Sequence, residues 1–153
     1  MQNNSLTNTF EVRWSDIDAN IHLRHSAYAD FCAQARLRFL GEAGLTFDRF
    51  KELHIGPILF REELKYLKEV PFGEHITVET SMIKMREDAS RWSIRHIIFR
   101  EDGQKAAVVV VDGAWIDILK RKLTVLPEDL VQNFKNLPKS EDFELEPLKE
   151  KTI

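Results

Sequence analysis

The spacing of apolar residues changes once along this chain, and that change limits the folds it can adopt. From Ser26 to Leu40 apolar and small residues recur every three or four positions, which is the period of an amphipathic helix, and Gly41 is a helix stop. Beyond the Gly56-Pro57 turn signal the spacing becomes two, the period of a strand with one face on a core. One long helix followed by alternating strands predicts an α+β domain. The predicted helical stripe is Tyr28, Phe31, Cys32, Ala35 and Phe39.

Four long strands are predicted after the turn, at residues 58–66, 76–82, 92–98 and 105–118. The dipeptide Asp102-Gly103 favours a tight hairpin between the last two, because both residues tolerate positive φ angles. A first strand at residues 10–14 and a short helix at residues 46–53 complete the predicted order. The elements after residue 10 therefore run strand, helix, short helix and four strands.

Length and charge exclude several classes of protein. A chain of 153 residues is long enough for one domain, which we assign to residues 1–137. Residues 138–153 form a polar acidic segment that we expect to be mobile or to lie on the surface. The net charge of −3 argues against binding to nucleic acid.

The cell compartment is predicted from the cysteine content and from the hydrophobicity of the sequence. The single cysteine, Cys32, cannot form an intramolecular disulfide, which favours a reducing, cytoplasmic location. The start of the sequence is polar, and the longest apolar run, residues 106–111, is too short to cross a bilayer. We therefore expect neither secretion nor membrane insertion.

The segment between the first strand and the long helix concentrates groups that can do chemistry. It contains two carboxylates, Asp16 and Asp18, and two imidazoles, His22 and His25. The segment ends at a helix N-terminus, where free backbone N–H groups and the helix dipole favour negative charge. An oxyanion that develops during a reaction could be held there.

Simpler interpretations of the same residues stay open. An Asp-x-Asp sequence before a helix is commonly a turn and capping arrangement. Asp16, Asp18 and His22 could also bind a cation, but no further metal-ligand cluster follows in the sequence, so no metal site is predicted. Cys32 lies on the apolar stripe and is expected in the core rather than as a nucleophile. The remaining histidines, His54, His75 and His96, stand alone and are expected to be structural or surface groups.

The same segment resembles the N-terminal signature of the hotdog-fold acyl-CoA thioesterases, the group that includes 4-hydroxybenzoyl-CoA thioesterase and the thioesterases associated with the Tol-Pal system. In those proteins a strand leads through an aromatic residue and Asp-x-Asp to a long central helix. The resemblance covers roughly residues 10–129 and implies an antiparallel sheet wrapped around that helix. It rests on Trp14, Asp16, Asp18, His25, Tyr28, Ala35-Arg36, Gly56-Pro57, Tyr66, Phe72-Gly73 and Leu126-Pro127.

The resemblance implies a role for each matching residue. Asp18 corresponds to the catalytic carboxylate, which acts as nucleophile or as general base on water, and Asp16 joins it as a capping or orienting group. The backbone N–H of His25 would polarise the thioester carbonyl, and the His25 imidazole is a second catalytic candidate. Tyr28 would contact the substrate, and no cofactor is required. One departure is that Asn20-Ile21 or Ile21-His22 stands where many members have Gly-Gly or Gly-His.

The implied activity is hydrolysis of an acyl-CoA to a free acid and CoA. Lys84, Arg86 and Arg91 are candidates for the phosphates of CoA, although such residues are also ordinary on a solvated loop. Because hotdog domains pair their sheets edge to edge, a homodimer or homotetramer is expected. Two alternatives remain, a non-catalytic protein that binds acyl-CoA or regulates in response to it, and a hotdog hydratase or dehydratase. The sequence does not identify the acyl group.

Overall fold

The fold is described from a computed structural model, which covers residues 4–148. Within that range the chain forms seven strands and three helices. The strands are β1 (Leu6–Glu11), β2 (Ile55–Tyr66), β3 (His75–Arg86), β4 (Arg91–Phe99), β5 (Lys105–Asp117), β6 (Lys122–Thr124) and β7 (Lys139–Glu146). The helices are α1 (His25–Gly41), α2 (Phe47–Leu53) and α3 (Glu128–Lys135), and a single 3-10 turn covers Trp14–Asp16.

The strands form one sheet with the main order β1-β3-β4-β5-β2. Every neighbouring pair along this order is antiparallel, and each strand predicted after residue 56 is present. The path ends at β2, whose second edge has no partner within residues 4–148. The predicted α+β hotdog fold, a sheet around one long helix, is confirmed.

Helix α1 lies against the sheet through the predicted apolar stripe. Tyr28, Phe31, Cys32, Ala35 and Phe39 are all buried in the main core. Burial raises the pKa of the Cys32 thiol to about 12, so this cysteine is a core residue and not a nucleophile. Burial of this one helical face positions the N-terminus of α1, and with it the segment that precedes the helix.

Two helix starts differ by one residue or so from the sequence analysis. Helix α1 begins at His25 with Arg24 as its N-cap residue, so Ser26, the first residue of the predicted helical segment, lies inside the helix. The short helix α2 begins at Phe47 because the Thr46 side chain caps it by accepting a hydrogen bond from the backbone N–H of Arg49. Such shifts are small on the scale of a helical turn.

Part of the acidic segment after Pro138 is an ordered strand with no fully buried residue, which agrees with a surface-lying rather than a mobile segment, and residues 149–153 lie outside the described residues. Its residues 139–146 form β7, which pairs in parallel with the second half of β3. The first half of the same β3 edge is taken by β1, which pairs with residues 75–80. The backbone pairing with β3 and the packing of Phe143 against the core hold this strand, and Asp142 adds a bidentate ion pair with Arg95.

Candidate active site

The loop before α1 is closed by hydrogen bonds to Asp18. The Asp18 backbone N–H donates to the carbonyl of His22 over 2.9 Å, and its carbonyl accepts from the N–H of Ile21 over 3.1 Å. The Oδ1 atom of Asp18 accepts from the backbone N–H of Asn20 at 2.8 Å and of His22 at 3.4 Å. The Oδ1 atom of Asp18 therefore has the turn-forming role that an Asp-x-Asp sequence commonly has. The side chain is exposed, and its Oδ2 atom has no hydrogen-bond partner among the described residues.

Ile21, at the tip of this loop, has a φ of 62°. This left-handed conformation costs a β-branched residue about 1–2 kcal/mol, which explains why glycine is common at the matching family position. The side chain of Ile21 is exposed, so packing does not repay that cost locally. The closed hydrogen-bonded loop holds the conformation in place.

Asp18 lines a cleft of about 630 Å³. The cleft, called here the Asp18 cleft, lies where the start of α1 meets the end of β2 and the segment that follows β2. Its volume is typical of small-molecule sites. It is lined by Asp18, His22, His25, Tyr28, Tyr66 and Glu69, among others.

His25 is the first residue of α1 and lines this cleft. The first N–H groups of a helix have no acceptor within the helix, and the side chain of the N-cap residue Arg24 makes no capping hydrogen bond. These donors and the positive end of the helix dipole favour an anion. The predicted place of His25 at the helix start is therefore what the structure shows.

Two tyrosines form the apolar wall of the Asp18 cleft. The rings of Tyr28 and Tyr66 meet edge to face with their centroids 5.2 Å apart. Burial raises the pKa of Tyr28, and the nearby Tyr66, Asp18 and Glu69 raise it further, so its hydroxyl remains protonated at neutral pH. Tyr66 donates its hydroxyl proton to the backbone carbonyl oxygen of His25 at 3.2 Å.

The structure places Asp16 outside this cleft. Its carboxylate is buried and accepts hydrogen bonds from the Arg13 backbone N–H and from the Arg13 guanidinium, all at 2.9–3.1 Å. Burial opposes ionisation of Asp16, but the contacts with Arg13 outweigh it, so the pKa of Asp16 lies below its ordinary value. Asp16 faces a separate cavity beside Phe31 and Gln34. Its geometry is that of a structural ion pair.

Lys84, Arg86 and Arg91 are also separate from the Asp18 cleft in a single chain. They line a second cavity of about 340 Å³, called here the Arg91 cavity, together with Phe60, Trp92 and Glu146. Arg91 lies at the start of β4, whereas Arg100, which follows the last residue of β4, lines the Asp18 cleft. At about 3.3 Å for each residue, Arg91 and Arg100 are about 30 Å apart along the sheet.

Several residues of the Asp18 cleft have no signal in the sequence. Glu69, Lys68 and Arg100 line it, although they belong to connecting segments far from Asp18 along the chain. Tyr66 was noted only as a family match, and its contact with His25 depends on how β2 ends against α1. A backbone hydrogen bond joins the loop before α1 to the segment after β2, because the N–H of Leu23 donates to the carbonyl of Val70 at 2.8 Å.

Residues 4–148 contain neither a cluster of metal ligands nor a helix that could span a membrane. No group of three or more potential ligands in this range could hold a metal ion. No helix in this part of the chain is both long and apolar enough to cross a membrane.

An antiparallel sheet wrapped around one long helix is the hotdog fold, and in this chain Asp18 and the first residue of that helix, His25, line one cleft. Residues 12–134 match the thioesterase-like superfamily, and the chain belongs to that family. This membership confirms the family resemblance and the predicted class of enzyme, a thioester hydrolase. No curated protein is significantly similar to the chain in sequence.

Solved structures share the fold at low sequence identity. A Staphylococcus aureus protein, SAV2348, solved in complex with CoA, is 24% identical with a TM-score of 0.82, over 91% of this chain and 89% of its own. The DHNA-CoA thioesterase of Staphylococcus aureus is 20% identical with a TM-score of 0.79, over 86% and 89%. The 1,4-dihydroxy-2-naphthoyl-CoA thioesterase of Synechocystis is 17% identical with a TM-score of 0.76, over 87% and 97%.

Proposed function

We propose that this protein hydrolyses an acyl-CoA thioester to a carboxylic acid and CoA. The observation that carries the proposal is that Asp18 and His25, the first residue of α1, line the same cleft. Thioester hydrolysis needs these two functions together, a base or nucleophile and a donor for the carbonyl oxygen. Family membership and the solved structure of a similar protein with CoA support this choice of substrate.

Asp18 supplies the negative charge in this mechanism. Its Oδ1 atom is occupied by loop N–H groups, and these fix the direction of the carboxylate. Its Oδ2 atom is the one that takes a proton from water or attacks the thioester carbon. As the carbon becomes tetrahedral, negative charge grows on the carbonyl oxygen, and the N–H of His25 at the start of α1 stabilises it.

The nucleotide of CoA would lie in the Arg91 cavity of a second copy. If two chains pair their β2 strands antiparallel, the Ile55 end of one β2 lies beside the Tyr66 end of the other. Arg91 is level with Ile58 in the sheet, because both residues pair with Ala114. Such a homodimer therefore moves Arg91, Lys84 and Arg86 of one copy toward the Asp18 cleft of the other.

A panel of acyl-CoA substrates with detection of free CoA thiol tests the proposal. Asp18→Asn keeps the size of the side chain but removes its charge, so kcat should fall at least about a hundredfold while the protein stays folded. Asp48→Asn is the matched control, because Asp48 is an exposed residue of the first turn of α2. Its kcat should equal that of the parent.

The same assay separates the two alternatives. A non-catalytic acyl-CoA-binding protein would bind the panel without release of thiol, and a hydratase or dehydratase would alter the acyl chain and leave the thioester intact. A folded Asp18→Asn protein with parental kcat would eliminate the proposed role of Asp18.

A further inference from the structure

A histidine and a glutamate that line the Asp18 cleft form a pair with no assigned role, with the His22 side chain 36% exposed and the Glu69 side chain 66% exposed. The Nδ1 atom of His22 lies 2.8 Å from the Oε2 atom of Glu69. A carboxylate can only accept, so Nδ1 carries the hydrogen of this bond. The other ring nitrogen, Nε2, is then the one free to exchange a proton, as in sites where a carboxylate fixes the tautomer of a catalytic histidine.

Both members of the pair are held by their backbones. The segment around His22 is joined to the segment around Glu69 by a β-bridge between His22 and Pro71 and by the Leu23 to Val70 hydrogen bond. The guanidinium of Arg100 donates to the carbonyl oxygen of Glu69 at 2.9 Å. The His22 N–H also faces the Asp18 carboxylate, so the pair and the proposed catalytic carboxylate belong to one bonded loop.

The proposed mechanism does not yet name the group that protonates the sulfur of the departing CoA. Asp18 acts on water or carbon and the His25 N–H acts on oxygen, but the CoA sulfur leaves as a thiolate that must become a thiol. Tyr28 is a poor donor because its pKa is raised, and the Tyr66 hydroxyl donates to His25. His22 is the imidazole of this cleft that has a carboxylate partner among the described residues.

We propose that His22 in its doubly protonated, imidazolium form, oriented by Glu69, donates the Nε2 proton to the sulfur of the departing CoA and returns to the neutral ring with its hydrogen on Nδ1; this inference rests on the proposed thioesterase function. The carbon–sulfur bond breaks with its electron pair on sulfur, and that pair takes the proton from His22. His22 is reprotonated by the water consumed in the reaction, in the general-base route by way of Asp18. The oxygen of the same water ends in the product acid, so atoms and charges balance.

Leaving-group dependence tests this role. An aryl thioester releases a much more acidic thiol than CoA and departs without protonation. His22→Asn should lower kcat for the best acyl-CoA at least about fiftyfold, and lower it less than about threefold for the aryl thioester of the same acyl group. Glu69→Gln keeps an acceptor for Nδ1 but loses the charge, so a smaller loss with the same pattern is expected.

The control is His75→Asn. His75 also lies near a glutamate, with Nδ1 3.5 Å from Glu101, but it does not line the Asp18 cleft. Its kinetics on both substrates should match those of the parent.

Each result decides between the two proposals. Equal losses on both substrates for His22→Asn and Glu69→Gln would indicate a merely structural role and overturn this inference, as would parental kcat on acyl-CoA. If Asp18→Asn nevertheless loses activity on both the acyl-CoA and the aryl thioester, the thioesterase proposal remains valid without the role of His22. A parent protein that releases no thiol from any acyl-CoA would overturn the proposed function and this inference with it.

Discussion

The side-chain hydroxyl of Tyr66 donates a hydrogen bond to the backbone carbonyl oxygen of His25 across 3.2 Å. This bond joins the end of β2 to the first residue of α1, and therefore joins the edge strand to the proposed oxyanion donor. The Tyr66 ring also packs edge to face on Tyr28. The position of the helix N-terminus thus depends on a residue that contributes no charge to the site.

Tyr66→Phe removes only the hydroxyl and keeps the ring. Loss of a bond worth about 1 kcal/mol that orients the donor should lower kcat about fivefold, with little change in the melting temperature. Steady-state kinetics and thermal unfolding check the two parts. An unchanged kcat would show that the bond does not orient His25.

Asp16→Asn should weaken folding more than catalysis. The substitution breaks a buried contact with Arg13, so the free energy of unfolding should fall by about 1–3 kcal/mol, while kcat of the folded protein drops far less than in Asp18→Asn. Because the folded pKa of Asp16 is lowered, its stabilisation is present above the unfolded pKa of about 4 and is lost as pH falls through the folded value.

Urea unfolding of parent and Asp16→Asn at several pH values measures this effect. The difference in unfolding free energy between the two proteins should be full at neutral pH and shrink below about pH 4. A difference that stays constant down to pH 2 would contradict the ion-pair role.

His96 should make stability depend on pH in a second window. It is fully buried between Arg36, whose Nη1 donates to Nε2 at 3.0 Å, and the Thr80 hydroxyl, 2.9 Å from Nδ1. Burial, and then the charge of Arg36, lower the pKa of His96 to about 3. The folded protein therefore binds fewer protons than the unfolded chain between pH 6.5 and about 3.

Within that window, each unit by which the pH is lowered therefore reduces the free energy of unfolding by about 1.4 kcal/mol through His96. His96→Gln should unfold more easily at neutral pH but with a shallower pH dependence. Chemical denaturation of both proteins between pH 7 and 4 measures the slopes, and equal slopes would show that His96 does not carry this dependence.

Arg91 is the best candidate contact for the nucleotide of CoA. Its guanidinium lies 4.6 Å from the centre of the Phe60 ring and has no carboxylate partner among the described residues, whereas Lys84 and Arg86 lie near Glu146. Arg91→Glu should raise KM for acyl-CoA at least about fivefold and change kcat less than twofold, and Arg86→Glu should raise KM less. The KM of a pantetheine thioester, which lacks the nucleotide, should not change; an equal rise would contradict the assignment.

The free edge of β2 predicts a homodimer in solution. On this twelve-residue strand Leu59, Phe60 and Tyr66 are exposed, although they are large and apolar. A strand with such an edge readily pairs with another chain. Sedimentation at micromolar concentration should give at least twice the mass of one chain, and backbone amides of β2 should exchange faster on dilution. A monomeric mass would exclude this pairing.

The periodicity of the sequence predicted the long helix and the four long strands, because their buried faces follow regular spacing. It missed the strand β7, because that strand depends on backbone pairing with β3 and on an ion pair with Arg95, both far away along the chain. The pair of His22 and Glu69 was not predicted for the same reason, since each residue alone resembles a surface group. The strained Ile21 was visible only as a departure from a family glycine. The fold could be predicted from local sequence patterns, whereas the site depends on contacts between segments that are far apart in the sequence.

The sharing of one β3 edge by β1 and β7 has a consequence for protein synthesis. β1 is made before β3 and pairs with residues 75–80, while β7 is made after every other strand and pairs with residues 82–86. Until β7 leaves the ribosome, the second half of this edge exposes unpaired N–H and C=O groups to other nascent chains. The acidic residues of β7 thus complete a surface that stays open from the synthesis of β3 until that of β7.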